Sequence, residues 1–590
     1  MTAPVCFLIP ARGGSRRVPG KNLEEISGIP LVGWAARAAR IAAEGLSGGP
    51  HPVICSTDDP AIAEAATTWG AEVPFDRPAE LATDDANSVD VALHALEALE
   101  AKGRRFRALA LVQPTSPLLD PADLRRAVEA VERDGQPVTS VVETHPAAWH
   151  HGLDADGGLS AVDLADDARS TGSTTLLSGA FYVITPDALR AARSFVPGGT
   201  QGLPVAPETA VDIDTPSDLV LARALADAAP IRRPVTIADR ALGEGRCLVI
   251  AEAGVNHDGN VDIAHRLVDA AADAGADAVK FQTFDPDRLA AADAPLAAYQ
   301  AAAGERQDQR AMLARLALPS EAWPALQAHA GERGIVFLSS PFDEASADLL
   351  DRLDVPAFKV GSGELTNLPF LAHLASKGRP LLVSTGMAVM AEVDAALGAI
   401  RRAGDPPVAL FHCVSAYPAD AADANLAAIR TMRAAFRVPV GWSDHTPGIT
   451  LPIAAVAMGA ELVEKHLTLD RARSGPDHAA SLEPAAFAAM VEAIRETETA
   501  RGSGRKQPTP AEADVARIAR RGLYWTSDIP AGTAVAADHV AALRPATDLP
   551  PAMLETILGR RLRSTARAGT PVRATDLADA AEPAGPEGRG

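Results

Sequence analysis

The sequence predicts an α/β protein built from an open, mostly parallel sheet, then a (β/α)8 barrel, then a small β-rich module. Over the first 229 residues, short apolar runs alternate with helical patterns, which is typical of a parallel sheet covered by helices. From about residue 245 to about residue 505, eight further apolar runs follow, and most gaps between them have room for a crossover helix. Between about residues 515 and 580, short apolar runs are broken by turns, which indicates a compact β-rich module.

The strands of the first region follow from its apolar runs. Helical patterns at Leu31–Ala43 and Asp90–Ala101 lie between them, and Ala228–Pro234 is a predicted linker. The predicted strands are Val5–Ile9, Pro52–Thr57, Ala108–Gln113, Val138–Val142 and Gly179–Ile184.

The barrel strands end in polar residues. Function gathers at the carboxyl ends of the strands in such barrels, so this ring favours an active site over a purely structural core. The predicted strands are Cys247–Glu252, Ala278–Gln282, Ile335–Ser339, Ala357–Gly361, Leu381–Ser384, Val408–His412, Val438–Trp442 and Leu462–His466. The polar residues at or just after their ends are Glu252, Asn256, Lys280, Gln282, Ser340, Lys359, Glu364, Ser384, His412, Tyr417, His445 and His466.

Two lysines are expected to face each other across the mouth of the barrel. Lys280 and Lys359 end the second and fourth strands. Their ammonium groups would repel unless a dianion lay between them, so we predict a phosphate or phosphate-plus-carboxylate ligand, with Ser362 and Ser384 as further donors. The alternative is that both lysines extend into solvent.

Two histidines end the adjacent seventh and eighth strands. A single histidine is more often packed or solvated than a metal ligand, but His445 and His466 are placed to meet on one side of the mouth. Neutral imidazoles bind divalent metals and leave positions open for water and substrate oxygen. Asp444 and Glu464 flank them as candidate supporting groups.

A glycine-rich loop, Pro10–Asn22 (PARGGSRRVPGKN), follows the first strand directly. Its backbone amides suit phosphates, and its basic side chains offset phosphate charge. Later, Asp212 and Asp214 are predicted to share one face of a strand, where carboxylates suit Mg²⁺. A simple tight turn and an exposed strand face are the structural alternatives.

Composition limits the compartment and the partners. The formal net charge of −21 over 590 residues argues against a nucleic-acid or anionic-membrane binder. The four cysteines are scattered through apolar runs and are expected to be buried thiols, not a disulfide or zinc framework. We find no signal peptide and no apolar run of membrane-spanning length, so a cytoplasmic protein is expected.

The barrel region resembles the sialic acid synthase family, and the terminal module resembles the antifreeze-like (SAF) domain that those synthases carry. The motifs stand in that family's order: Ala251–Gly259 (AEAGVNHDG), Val279–Thr283 (VKFQT), Phe358–Glu364 (FKVGSGE), Ser384–Met387 (STGM), His412–Pro418 (HCVSAYP), Ser443–His445 (SDH), Glu464–His466 (EKH) and Gly475–His478 (GPDH).

The resemblance implies condensation of phosphoenolpyruvate with an N-acetylated hexosamine to a nine-carbon 2-keto-3-deoxy sugar acid and phosphate. It assigns a manganese-like ion to His445 and His466, and the role of base or water-positioning group to Glu364. Phosphoenolpyruvate-binding positions match Lys280, Lys359, Ser362 and Ser384, and sugar-side positions match Glu252, Tyr417 and Asp477. Arg544 matches an antifreeze-like-domain arginine that reaches the partner subunit's site, which implies a domain-swapped homodimer.

The first region resembles the CMP-sialic acid synthetases, which have a Rossmann-like nucleotidyltransferase fold. The supporting stretches, besides the glycine-rich loop, are Ser56–Asp58 (STD), Arg77–Asp84 (RPAELATD), Leu111–Pro117 (LVQPTSP) and Val211–Thr215 (VDIDT). The resemblance implies transfer of CMP from CTP to the sugar acid, with nucleotide contacts from Arg12, Lys21, Asn22 and Gln113 and Mg²⁺ at Asp212 and Asp214.

This region departs from the family pattern on the sugar-acid side. Arg16 replaces the loop lysine, Leu119 replaces the arginine after Ser-Pro-Leu, and Ser178 replaces the asparagine of Asn-Gly-Ala; the Arg/Gln-rich acceptor segment is reduced to Ala168–Gly172. A changed acceptor preference and a weakened transferase both remain open.

The leading hypothesis is therefore a bifunctional enzyme of nonulosonic acid biosynthesis. It has a cytidylyltransferase domain at 1–229, a TIM-barrel synthase domain at 235–508 and a SAF domain at 515–580. The alternative is a synthase whose first domain only binds nucleotide. The motifs resemble the sialic and legionaminic branch more than the pseudaminic one, and do not choose between those two acids.

Overall fold

The computed structural model describes residues 3–15, 17–83, 85–144, 151–153, 159–161, 174–292, 294–296 and 308–578. Arg16, Asp84, the acceptor segment 168–172 and the tail from Glu582, whose Gly/Pro-rich sequence predicts disorder, lie outside these ranges. The chain forms two compact units, Met1–Arg501 and Gly502–Gly590. No helix within the described ranges is long and apolar enough to cross a membrane.

The first part of the larger unit is a six-stranded sheet. Its spatial order is β6-β4-β5-β3-β1-β2, and β5 runs antiparallel to both of its neighbours while the other pairs are parallel. The predicted sheet is therefore confirmed, with one reversed strand. The strands are β1 Val5–Pro10, β2 Val53–Ser56, β3 Ala108–Val112, β4 Val138–Thr144, β5 Thr174–Ile184 and β6 Gln201–Pro204.

The helices around this sheet begin at recognisable sequence signals. The side chains of Asp59 and Asp120 accept hydrogen bonds from the first turns of α2 and α4, each of which has proline at its first position. Thr215 and Asp218 form a capping box at the start of α6. The helices are α1 Leu31–Glu44, α2 Pro60–Thr68, α3 Ser88–Ala101, α4 Pro121–Asp134, α5 Pro186–Ala192 and α6 Pro216–Ala228.

The second part of the larger unit is a closed barrel of eight parallel strands in sequence order, as predicted. Its amino-terminal end is filled by apolar side chains such as Leu248, Ala278 and Leu462, and the hairpin that contains Ile237 packs below them. The strands are β7 Leu248–Gly254, β8 Ala278–Thr283, β9 Val336–Pro341, β10 Phe358–Val360, β11 Leu381–Ser384, β12 Val408–Cys413, β13 Val440–Asp444 and β14 Leu462–His466.

Helices surround the barrel, and their apolar faces share a continuous core with the sheet domain. Because the amino-terminal end of the barrel is packed, its carboxyl end is the face available for a site. The helices are α7 Val261–Asp273, α8 Pro286–Leu289, α9 Gln309–Leu316, α10 Trp323–Glu332, α11 Glu344–Arg352, α12 Leu368–Ala375, α13 Met390–Arg402, α14 Ala427–Phe436, α15 Thr450–Ala457 and α16 Pro484–Arg501.

Charged groups lock α1 of the sheet domain against α13 of the barrel. Asp394 is 2% exposed, and its Oδ1 lies 2.5 Å from Nε of Arg37. Arg40 also pairs with Asp394. Glu44 pairs with Arg402 at 2.6 Å, which extends the contact to the ends of both helices.

The smaller unit has its own apolar core, which includes Leu523, Trp525 and Leu562. Isolated β-bridges such as Ile529–Ala566 extend the pairing beyond its one regular hairpin, so the compact β-rich prediction agrees with this arrangement. Its elements are β15 Gly522–Trp525, β16 Val540–Leu543, α17 Ala513–Ala519 and α18 Leu554–Ile557.

One local prediction is wrong. Asp212 and Asp214 do not lie on a β-strand; they lie in the segment that leads into α6. The amide of Ile213, between them, donates to the carbonyl of Thr115, and the Ile213 side chain is fully buried. One buried apolar residue between two acids imitates strand alternation without a second strand to complete the ladder.

Candidate active sites

The carboxyl end of the barrel opens into a cavity of about 570 Å³. The ten site residues predicted on the barrel all line it, so the tertiary fold brings together residues more than 220 positions apart. They are Glu252, Lys280, Lys359, Ser362, Glu364, Ser384, Tyr417, His445, His466 and Asp477.

Two buried lysines line this cavity, and carboxylates of the chain itself are their counter-ions. The Glu464 carboxylate lies between them, with Oε1 3.2 Å from Nζ of Lys359 and Oε2 3.9 Å from Nζ of Lys280. Glu252 Oε2 lies 2.5 Å from the same Lys280 nitrogen. The two lysines therefore do not need a bound dianion between them, contrary to the prediction, because the chain supplies its own carboxylates.

Serines complete the environment of each ammonium group. Lys280 donates to Oγ of Ser340 at 3.0 Å, and Lys359 donates to Oγ of Ser384 at 2.9 Å. The Lys359 ammonium also lies 5.1 Å from the centre of the Phe411 ring. Both lysines are 3% exposed, which rules out the alternative that they extend into solvent.

Burial and the neighbouring charges shift the pKa values of Glu252 and Glu464 in opposite directions. Burial raises the pKa of Glu252 to about 7 against the opposing effect of Lys280, and the charge of Glu464 adds to the rise. The pKa of Glu464 is lowered to about 2, because Lys280 and Lys359 together outweigh the effect of its burial. Glu464 is thus the permanent anion of the pair, and Glu252 exchanges a proton near neutral pH.

The two imidazoles line the same cavity and lie close to each other. The ring centres of His445 and His466 lie 5.5 Å apart, and the Tyr417 ring lies 4.1 Å from that of His445. His445 Nδ1 lies 2.7 Å from the carbonyl oxygen of Val414, so this nitrogen donates and Nε2 is left as the acceptor. Burial and the nearby His445 lower the pKa of His466 well below its usual range.

These imidazoles fit a divalent metal with an incomplete protein ligand set. The buried Nδ1 of His466 has no hydrogen-bond partner in the part of the chain that the structure describes, and it lies 3.9 Å from Oδ2 of Asp477. Within the described residues, no group of three or more His, Cys, Asp or Glu side chains is placed to hold a metal ion. Two imidazoles with room beside them agree with an open site, at which water and substrate would supply the remaining ligands.

The remaining predicted residues line the rim. Glu364 accepts a hydrogen bond from Nδ2 of Asn367 at 2.9 Å, and Ser362 Oγ accepts one from the Gly386 amide at 3.0 Å. Burial raises the pKa of Asp477.

Some polar strand ends serve the fold instead. Asn256 donates to the carbonyl of Leu467 and to Ser481, each at 2.9 Å. His412 bonds to the Ala424 carbonyl at 2.8 Å and lies outside the mouth cavity. Asp444 pairs with the buried Lys465 at 2.5 Å, so it does not support the histidines as predicted.

Glu464 is the residue whose position sequence reasoning underestimated, since it was assigned only a supporting place beside the histidines. The available signal was its spacing. Glu464 and His466 lie two residues apart on one strand and so project to the same face.

In the sheet domain, the glycine-rich loop meets the segment that contains the paired acids. Lys21 Nζ lies 2.8 Å from the Ile213 carbonyl and 3.3 Å from Oδ1 of Asp214. Asn22 donates to the Arg12 carbonyl at 2.8 Å, which closes the loop on itself.

The other predicted residues adjoin this place. Gln113 starts the loop after β3, and its backbone N–H donates to the Ala180 carbonyl. Oδ2 of Asp212 would lie 3.9 Å from a Cβ on Gly179. Ser178, which replaces the family's asparagine, lies with its Oγ 2.5 Å from Oγ of Ser140 and so faces the sheet. Arg544 is exposed and follows β16 directly in the smaller unit.

Comparison with known proteins finds three families along the chain. A cytidylyltransferase model matches residues 6–154, a NeuB family model matches residues 267–506 and a SAF domain model matches residues 520–578. An N,N'-diacetyllegionaminic acid synthase of Legionella pneumophila is 43% identical over 329 residues, which are 55% of this chain and 92% of that protein.

Two further relatives extend the comparison. An N,N'-diacetyllegionaminic acid synthase of Campylobacter jejuni is 40% identical over 318 residues, 53% of this chain and 95% of that protein. An N-acetylneuraminate-9-phosphate synthase of Mus musculus is 36% identical over 297 residues, 50% of this chain and 82% of that protein.

Proposed function

Because this chain belongs to the NeuB family, we propose that its barrel condenses phosphoenolpyruvate with an N-acetylated hexosamine to a nine-carbon 2-keto-3-deoxy sugar acid, and that its first domain then joins CMP from CTP to that acid. The order of the cytidylyltransferase, NeuB and SAF matches supports this pairing. The two activities are consecutive, which accounts for their fusion in one chain.

The lysine pair and its serines are the observation that carries the synthase proposal. Lys280 and Lys359 would bind the phosphate and carboxylate of phosphoenolpyruvate, with Ser340 and Ser384 as donors already in contact with them. Glu464 offsets the charges of both buried lysines, so both ammonium groups are in place before an anion arrives.

Two carboxyl groups are suited to proton transfer. Glu252, with its pKa near 7, is able to accept or donate a proton at neutral pH. Glu364 also lines the cavity and would position or deprotonate the water that adds to C2 before phosphate leaves.

His445 and His466 would hold a divalent ion such as Mn²⁺. When bound, such an ion polarises the open-chain aldehyde of the hexosamine for attack by the enol carbon. Tyr417 and Asp477 would orient the sugar beside the imidazoles.

In the first domain, Lys21, Arg12, Asn22 and Gln113 would contact CTP. Asp212 and Asp214 would bind its Mg²⁺ through hard carboxylate oxygens. Lys21 already pairs with Asp214, so metal binding would exchange one cation for another at the same carboxylate. Catalysis there would rest on positioning and on charge neutralisation at the α-phosphate.

The sugar acid is proposed to be N,N'-diacetyllegionaminic acid, since two synthases of that acid are 43% and 40% identical to this chain. Arg544 is retained as a predicted substrate-binding residue, and a homodimer as the predicted assembly.

Mass spectrometry of the products tests the whole proposal. The full chain is incubated with phosphoenolpyruvate, CTP, Mn²⁺, Mg²⁺ and a panel of N-acetylated hexosamines. We expect a nine-carbon acid and then its CMP conjugate. Lys359→Met should abolish both products, and Lys21→Ala only the conjugate. A product that matches no nonulosonic acid would refute the assignment, whereas the acid without pyrophosphate release would favour a synthase with a nucleotide-binding module.

A further inference from the structure

A second cavity, of about 470 Å³, lies between the sheet domain and the barrel within the larger unit. Its walls come from α1, from the loop before α4, from the segment after α6 and from the end of α14. None of its lining residues belongs to the mouth of the barrel, so it is separate from the condensation site.

Three arginines line this cavity, and they differ in how their charge is met. Arg37 is neutralised by Asp394, and Nε of Arg437 donates to the Pro230 carbonyl at 3.1 Å. The Arg232 backbone amide donates to the Arg437 carbonyl at 2.9 Å, which fixes Arg232 at the cavity wall. Among the residues that the structure describes, no carboxylate forms an ion pair with the Arg232 guanidinium.

Around Arg232, the positive charges of Arg37 and Arg437 outweigh the negative charge of Asp120. Arg232 is an exposed residue, but desolvation of the part of its side chain that lines the cavity, together with the charges of Arg37 and Arg437, lowers its pKa to about 10. A guanidinium in such a place gains most from an anion that it can bind through two parallel hydrogen bonds, and phosphate has that geometry.

The rest of the lining selects for more than a phosphate ion. Leu118, Leu225 and Pro230 supply apolar wall, which suits a flat or hydrophobic body attached to the anion. Asp120 and Glu208 supply carboxylate oxygens, which accept hydrogen bonds from hydroxyl and amino groups. Phosphate, sugar hydroxyls and an amino-bearing base together describe a nucleotide.

We propose that this cavity is a second, non-catalytic binding site for a nucleoside monophosphate, with Arg232 as its principal phosphate ligand. Two of its walls continue into the proposed CTP site, since the loop that starts at Gln113 reaches Leu119 and the segment at Glu208 leads to Asp212. Occupancy of the cavity would therefore act on the cytidylyltransferase domain from behind its active site.

The neighbouring interdomain groove, of about 730 Å³, has a different character. Glu25 and Glu64 line it and none of its lining residues is a lysine or arginine, so it does not suit an anion. The contrast places the anion site at the Arg232 cavity and not at the domain junction in general.

Isothermal titration calorimetry of the full chain with CMP, in the presence of Mg²⁺, tests the site because it measures how many CMP molecules bind to each chain. We expect Arg232→Ala to bind one CMP fewer than the wild-type chain, or to bind it at least tenfold more weakly. Arg233→Ala is the matched control, because Arg233 is adjacent, pairs with Asp405 at 3.5 Å and does not line the cavity. It should bind as the wild type does.

Lys21→Ala separates this site from the catalytic one, since it should remove the other CMP and leave the Arg232-dependent one. The count requires no turnover, so an inactive transferase would leave the result readable. Equal binding by Arg232→Ala and Arg233→Ala, at equal thermal midpoints, would overturn the proposal. Inorganic phosphate that displaces CMP from the Arg232-dependent site at equal concentration would overturn its nucleotide specificity.

Discussion

Replacement of Glu464 by glutamine tests how the barrel keeps two buried lysines charged. The substitution retains the shape of the side chain and the hydrogen bond from Ser443, which lies 3.1 Å from Oε1, but removes the negative charge between Lys280 and Lys359. Lys280 keeps Glu252 as its partner, whereas Lys359 keeps, among the described residues, the Ser384 hydroxyl and the Phe411 ring.

The expected loss of stability follows from the distance between Lys359 and Glu464. A pair of charges 3.2 Å apart, as at Lys359 and Glu464, attract by about 5 kcal/mol at an effective dielectric constant of about 20. Removal of one partner of a buried pair costs about 3–5 kcal/mol, because the other charge stays buried. Glu464 also raises the pKa of Glu252, so its loss should leave Glu252 more fully ionised and offset part of the cost.

The same change should tighten the binding of phosphoenolpyruvate. Because phosphoenolpyruvate no longer competes with Glu464 for Lys359, we expect its dissociation constant to fall at least tenfold. A tenfold fall corresponds to about 1.4 kcal/mol of binding free energy. Urea unfolding measures the stability, and calorimetric titration with phosphoenolpyruvate alone measures the binding. Ser443→Ala, which removes the hydrogen bond without the charge, is the control. An unchanged unfolding midpoint together with unchanged or weaker ligand binding would refute this reasoning.

Three further predictions concern other parts of the chain. Asp394→Asn should lower the free energy of unfolding of the larger unit by about 3–5 kcal/mol in urea titrations, because Arg37 and Arg40 lose their buried partner; an effect under about 1 kcal/mol would contradict this. Burial lowers the pKa of His257 from 6.5 to about 4, so between these values the unfolded chain binds a proton that the folded chain does not, and the free energy of unfolding falls as the pH is lowered from 6.5 to 4. His257→Asn should remove up to about 3 kcal/mol of this loss, and an unchanged pH dependence of unfolding would speak against it. Asp214→Asn should abolish Mg²⁺-dependent pyrophosphate release from CTP while the condensation rate stays the same, and a parallel loss of both would show a structural effect.

The strand pattern was predictable because each strand of a barrel is short, apolar and separated from the next by a helix. Val408 and Leu462, for example, begin strands where the apolar runs predicted them. The same logic failed at Ile213, because a single buried residue between two acids looks like strand alternation whether or not a neighbouring strand exists.

The site was predictable as a set of residue types but not as a charge distribution. Lys280 and Lys359 were identified from their strand ends, yet their separation by Glu464 depends on which carboxylate projects into the same layer of the barrel. His412 ends a strand in the same way and still lies outside the cavity. Strand position specifies the rim, whereas side-chain direction and neighbouring loops decide which rim residues share one space.

The sequence alone predicted the eight barrel strands, the residues that line the mouth and the two imidazoles on neighbouring strands. These features depend on alternation along one strand and on where that strand ends, which are local properties of the sequence. Only the folded molecule decided that Glu464 bridges the lysines, that Asp394 joins the two larger domains and that Arg232 faces a cavity without a carboxylate partner among the described residues. These are contacts between residues far apart in sequence, and they depend on how whole helices and sheets pack, which no local pattern records.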